Sequence, residues 1–382
     1  MSTAGRPATN ATAASDVAAA VEGAEFVRVV ARPDGDALAA AGLLSRALDA
    51  AGTPYQASVA ARPGGRTTDA DLTVGVGVDV DQEAGVCVPS GDAHASETAF
   101  EAAREIGSDP DPVLALAGVL AAGREPVDPV LSAAREAGLD RRPGVGVPTP
   151  DLADGLAHST LFHAGFSGDP EAAAAALADL ALPGEPTEES HRRVASLAAL
   201  ATVGTGGAVD RTGEAVERAL RPRVAPGAPF ATVEGYADVL DAAARRAPGA
   251  GLALALGHDA TETALSAWRT RGRRAHRTLR TATTGRYDDL FVARETTDDP
   301  DEIPVGTVAR LLRDFRSPEP VALVVTDGRA AAAATADVTD LADAMAAAAT
   351  EAGGDWDGTD RLARATFETD TAEFIMALRE AL

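Results

Sequence analysis

The sequence contains no lysine: its 34 basic side chains are all arginine, set against 58 Asp and Glu for a formal net charge of -24. That negative balance argues against a strong non-specific grip on nucleic acid, which needs a net basic surface to neutralise phosphates. A single cysteine, Cys87, excludes an internal disulfide framework and a cysteine-based zinc site. Aromatic residues make up only 4%. No uncharged apolar run reaches the roughly 18 residues that a membrane span needs. The opening "MSTAGRPATNATAASD" lacks the apolar core of a signal peptide. No Walker A or G-x-G-x-x-G pattern supports nucleotide binding.

What is abundant is alanine and evenly scattered carboxylate. Such a coat keeps a chain soluble by self-repulsion, and salt at 1 M screens that repulsion over a Debye length of about 3 Å. This is the composition expected of a halophile's cytoplasmic protein, so the acidity reports the solvent more than the partners. Length predicts two domains among the 382 residues.

Residues 1–22 are expected to be a disordered tail followed by a short helix begun by Ser15 and Asp16. "EFVRVVA" reads as a buried strand and "DALAAAGLLSRALDAAG" as a helix closed by Gly52. "PYQASVAA" and "DLTVGVGVDV" read as further strands and "VLALAGVLAAG" as a buried helix, which is the grammar of a parallel sheet. Residues 150–222 read as helical. The proline-bearing "LRPRVAPGAP", 220–229, is the best linker candidate. Beyond it come a helix over 231–247, a strand "GLALALG", an arginine-rich helix over 260–280 and a strand "DDLFVARE". Then follow the helix "VGTVARLLRDF", the strand "PVALVVTDG" and helices over 338–352 and 370–381. No internal repeat is visible.

Asp34 and Asp36 stand just past the carboxyl end of the first strand, where open α/β sheets place ligands. Carboxylates so spaced can hold divalent cations if other ligands complete the shell, or they can simply cap the helix that follows. Asp79 and Asp81, after another strand, pose the same choice. "WRTRGRRAHRTLR" puts Arg269, Arg273, Arg277 and Arg280 on one helical face, either to receive a phosphate backbone or acidic partner or as a solvated face neutralised by the chain's own carboxylates. His158 and His163, five apart, do not share a helical face and read as core or surface histidines rather than ligands. Cys87 reads as an inert thiol.

The stretch "VRVVARPDGDALAAAGLLSRAL" resembles the first motif of the DHH phosphoesterase superfamily, RecJ branch, and "LTVGVGVDVD" resembles the second, ending in a metal-binding aspartate at Asp79. "DPVLALAGVLAAGRE" and "LAHSTLFHAGFSGDPE" are similar to segments that follow. "YADVLDAAARRAPGAGLALALG" and the stretch from "DLADAMAAAATEAGGDWDGTD" onward resemble the opening and ending of a DHHA1-type domain. The resemblance implies a DHH-like parallel-sheet domain over 23–222 and a smaller DHHA1-like α/β domain over 223–382, facing a cleft.

The departures matter as much. Arg32 stands where the family has a histidine ligand, and a guanidinium cannot coordinate a metal. Only Asp92 and His94 fall near the Asp-His-His motif. Gly123-Arg124 stands for Gly-Asp, and Gly353 to Asp360 carries no histidine where the family has Gly-Gly-Gly-His. Only Arg329 stands near the arginine-bearing strand of the family. The expectation is a retired active site with remnant positions Asp34, Asp36 and Asp79, and no cofactor. The resemblance then implies a non-catalytic replication or repair factor of the kind that accompanies GINS and the MCM helicase, with single-stranded DNA as a further partner. Two alternatives stand: a divergent manganese-dependent single-strand exonuclease or phosphodiesterase using Asp34, Asp36 and Asp79, and a regulatory subunit of an active RecJ paralogue.

Overall fold

The computed structural model describes residues 13–61, 69–80, 85–89, 94–184, 187–296, 299 and 302–382. The expected disordered tail therefore lies almost wholly outside the described residues, as do Asp81 and Asp92. In chain order the elements are α1 (Ala14–Glu22), β1 (Val27–Ala31), α2 (Gly35–Ala51), β2 (Tyr55–Val59), β3 (Leu72–Val76), β4 (Gly85–Val88), α3 (Ala95–Glu105), α4 (Pro112–Ala121) and α5 (Val130–Glu136). Next come β5 (Asp140–Arg141), α6 (Leu152–His158), α7 (Pro170–Ala178), α8 (Glu188–Val203), α9 (Thr212–Glu217) and β6 (Arg223–Val224). They are followed by α10 (Val233–Arg246), α11 (Pro248–Ala255) and α12 (Thr261–Thr281). The chain closes with β7 (Thr283–Tyr287), β8 (Leu290–Arg294), α13 (Val305–Phe315), β9 (Val321–Thr326), β10 (Arg329–Ala334), α14 (Leu341–Glu351), β11 (Trp356–Thr359), β12 (Leu362–Thr366) and α15 (Thr371–Ala381).

These elements form two compact units: Met1–Asp140 with Val224–Ala267, and Arg141–Arg223 with Trp268–Leu382. The units are interleaved in sequence, unlike the division at 222/223 read from the proline-rich stretch. Arg223 within that stretch is buried.

In the first unit β2-β1-β3-β4 form a parallel sheet, with Val27 of β1 opposite Tyr55 and Leu72. A strand paired on both sides in a parallel sheet must be apolar on both faces, and Val27, Val29, Val30 and Ala31 are all buried. Helix α2 is buried along most of its length because its Ala and Gly side chains let neighbours approach closely. A Cβ on Gly42 would fall 2.6 Å from the carbonyl oxygen of Ala255 in α11. Gly52 ends α2 in the left-handed conformation, φ 74°, as the sequence leads one to expect.

In the second unit the sheet order is β11-β12-β10-β9-β8-β7, antiparallel except for the β8–β9 pair. Alternate residues of β9 and β10 serve two cores. Ala322, Val324, Ala331 and Ala333 join Val308, Leu312 and Phe315 of α13. Leu323, Val325, Ala330 and Ala332 join Leu341 and Met345 of α14 with Phe374 and Leu378 of α15.

The α/β class with a parallel sheet and a second sheet domain is as expected, but three local readings need correction. "GLALALG" is the end of helix α11, not a strand: a short apolar run has no period to decide it, and Pro248 at the first helical turn with Leu and Ala beyond favours the helix. Strand β7, "TTGRY", escapes the sequence reading because a polar edge strand carries no apolar alternation. The stretch "GGDWDGTD" contains strand β11 rather than only a glycine-rich turn.

Candidate functional site

The carboxyl end of β1 delivers Arg32, Asp34 and Asp36 to the start of α2. Asp34 is the N-cap: its backbone is extended and its Oδ1 accepts the Ala37 amide at 2.9 Å. Its Oδ2 accepts a hydrogen bond from Arg32 Nε in a largely buried ion pair. Burial pushes the Asp34 carboxyl up, but the guanidiniums of Arg32 and Arg245 and the Ala37 amide outweigh it and hold the group below its ordinary value. Arg245, on α10, also pairs with Asp241 at 3.2 Å.

Asp36 does something else. Its side chain crosses to the start of α3, where its oxygens accept the amides of Ala95 and Ser96 at 3.0 Å each and the Ser96 hydroxyl. It satisfies amides that a helix start leaves without intrahelical partners. Burial raises its carboxyl, the Ser96 bonds oppose that, and neighbouring Asp34 adds to the rise; the balance lies above the ordinary value.

Beside Asp36 stand two residues of which one was not singled out from the sequence. Glu97 is raised chiefly by burial, and its Oε2 lies 3.9 Å from His94 Nε2. Glu97 Oε1 and His94 Nδ1 are buried without a hydrogen-bond partner among the described residues. The cue for Ser96 and Glu97 was "HASE", a helix start; nothing in the sequence pointed to Arg245.

The other remnant positions lie beyond β3 and α4. Asp79 is exposed, three residues past β3, and Arg124 is half-buried just beyond α4. Among the described residues no group of three or more His, Cys, Asp or Glu is placed to hold a metal ion. Cys87 is half-buried on β4, and Arg329 begins β10.

In the second unit the expected arginine row divides. Arg269 is taken by Asp154, with Nε 2.9 and 3.1 Å from the two carboxylate oxygens and Nη2 3.0 Å from Oδ2. Arg273, Arg277 and Arg280 are exposed. His158 is buried, with Nδ1 3.0 Å from Asp154 Oδ1, and His163 is buried against His276.

The family description "Uncharacterized protein rrnAC1427, C-terminal domain" matches residues 282–380. The uncharacterised protein rrnAC1427 of Haloarcula marismortui is 54% identical over 389 residues, covering 100% of both chains. Among solved structures, CDC45 from Entamoeba histolytica is similar with a TM-score of 0.59 at 8% identity, covering 96% of this chain and 97% of that one. RecJ in complex with Mn2+ from Thermus thermophilus gives 0.52 at 16% identity; this chain is covered to 96% but spans 54% of that protein. The chain thus has the two-domain fold of RecJ and CDC45.

The RecJ likeness raises manganese as a group to test against these residues. They do not fit it. The Asp34 carboxylate already faces a guanidinium, Asp36 is occupied by three donors at α3, and a cation there would meet the charges of Arg32 and Arg245. The relationship that is shown over the full length is another one: this chain belongs to the family of the Haloarcula marismortui protein rrnAC1427.

Proposed function

We propose that the protein is a non-catalytic protein of RecJ fold that serves DNA replication or repair as a binding component, docking to the GINS complex and through it to the MCM helicase. The observation that carries this reading is the Arg32–Asp34 pair. A two-metal phosphodiesterase must hold two cations about 3.5–4 Å apart between carboxylates and imidazoles. Here the first carboxylate is neutralised by the chain itself and the second holds a helix start. Both are structural roles, so the residues that would perform hydrolysis serve the fold. The likeness to CDC45 over nearly the whole of both chains supports the reading at the level of fold.

The test is a manganese titration by calorimetry in molar potassium chloride, on the wild type and on Asp34→Ala/Asp36→Ala, alongside co-elution with purified GINS. A flat titration with co-elution is the expected result. Two tight manganese sites lost in the double variant would overturn the non-catalytic reading, and absence of co-elution would overturn the proposed partner.

A further inference from the structure

His163 and His276 make a stacked pair in the second unit, with ring centroids 5.2 Å apart and an interplanar angle of 20°. Their Nδ1 atoms are 3.1 Å apart, and both residues are buried. The partners fix the tautomers. His276 Nε2 lies 2.9 Å from the Ser159 carbonyl oxygen and must donate to it. The neutral His276 ring then offers Nδ1 as an acceptor, so His163 donates from its own Nδ1. His163 Nε2 is left as a lone pair with no hydrogen bond to any described residue.

The charges that act on this ring are cationic. Besides His276 they belong to Arg280, on α12, and Arg316, just after α13. Each guanidinium is anchored by one nitrogen to a backbone carbonyl, Arg280 Nη1 to that of Ser167 and Arg316 Nη1 to that of Leu279. Four N–H groups on each remain beyond that bond. Neither guanidinium forms an ion pair among the described residues, although the chain has 58 carboxylates to offer. Gly168, at φ 83°, lets the groups crowd together: a Cβ there would stand 3.3 Å from Arg280 Nη2 and 3.0 Å from His276 Cβ.

We propose that Arg280, Arg316 and His163 form a binding site for a protonated oxyanion, hydrogen phosphate being the one that fits. The guanidiniums donate to its charged oxygens in the fork geometry that suits phosphate. Its P–OH donates to His163 Nε2, which can only accept while the pair is neutral. Sulfate, fully deprotonated near neutral pH, satisfies the guanidiniums but leaves that lone pair unmatched. The site is remote in role from Asp34 and Asp36 and stands or falls independently of the proposed replication function.

The experiment is a thermal unfolding series on the full chain in molar potassium chloride at pH 7, adding inorganic phosphate or, separately, sulfate at matched ionic strength. Sulfate controls for the general stabilisation that excluded anions give any folded protein. The expected result is a larger rise with phosphate than with sulfate, and loss of that difference in Arg280→Gln/Arg316→Gln. Because both arginines brace backbone carbonyls, a second measurement on the wild type keeps the test open if that variant fails to fold. Phosphate should shift the imidazole proton resonances of His163, identified by their absence in His163→Gln, and sulfate should not. Equal rises with the two anions, or unmoved His163 resonances at saturating phosphate, would overturn the site. A nucleoside 5′-monophosphate arm identifies the source: tighter binding than inorganic phosphate places the same oxyanion on a larger ligand, and weaker binding assigns the site to the free anion.

Discussion

The Asp36 carboxylate, in the first turn of α2, accepts both the amide and the hydroxyl of Ser96 at the start of α3. Two helices far apart in sequence are therefore tied through one buried acidic group. Asp36→Ala leaves the amides of Ala95 and Ser96 buried without a partner, at about 1–3 kcal/mol for each unsatisfied group. Asp36→Asn keeps an acceptor oxygen and should lose less. Denaturant unfolding in molar salt measures both, and equal losses in the two variants would count against the hydrogen-bonding account.

Arg32→Ala should cost more than an exposed ion pair would, because Asp34 stays behind as a buried, poorly compensated charge. Breaking one side of such a pair typically costs about 3–5 kcal/mol. The double variant Arg32→Ala/Asp34→Ala should be less destabilised than the sum of the single changes. Strict additivity in that cycle would show that the two side chains do not act on each other.

Acid stability is set by opposing groups. For Asp34, and likewise Asp154 and Asp314, partners hold the folded carboxyl below its ordinary 3.8. Each adds stability that is present above that value and is lost as pH falls through the folded one. Asp36 runs the other way: its raised carboxyl favours the fold at low pH and withdraws that help as pH rises. The histidine pair acts at milder acidity. Burial depresses His163 from 6.5 to about 2 and His276 to about 4, so both favour the fold above 6.5. Between pH 6.5 and 4 the unfolded chain takes up protons that the folded pair refuses, at a slope of up to about 2.7 kcal/mol per pH unit for two sites. His163→Gln/His276→Gln should flatten the stability profile across that window; an unchanged slope would remove the pair from the account.

Gly42→Ala should destabilise the first unit even though alanine is the better helix former. Its methyl would meet the Ala255 carbonyl at 2.6 Å, and overpacking of this kind costs about 1–3 kcal/mol. Gain of stability in the variant would mean that α11 can withdraw from α2 at no cost.

The parallel sheet was legible because β1 and β3 are apolar runs ending at aspartates, and α2 because Asp34 and Gly52 mark its ends. Those cues are local. Asp36 reads from the sequence as either a ligand or a cap of its own helix; that it serves α3, 59 and 60 positions away, is decided only by packing. Arg245 was invisible for the same reason, since its effect on Asp34 depends on where α10 lies. Helical spacing accounts for the placing of the four arginines along α12, but periodicity could not reveal that Asp154 would claim Arg269 while Arg273 and Arg277 stay exposed. The stacked histidines come from α12 and the segment after α6, so no spacing rule joins them.

The Arg32 guanidinium differs from a dissolved cation in one respect: it is covalently attached, two residues away along the chain, to the carboxylate it neutralises. Its effective concentration beside Asp34 is fixed by two residues of backbone rather than by the surrounding medium. No chelator can strip it, no competing ion can exchange with it in solution, and no shortage can leave the position unfilled. The junction of β1 and α2 accordingly carries its own counter-ion at constant stoichiometry, indifferent to the supply of trace metals.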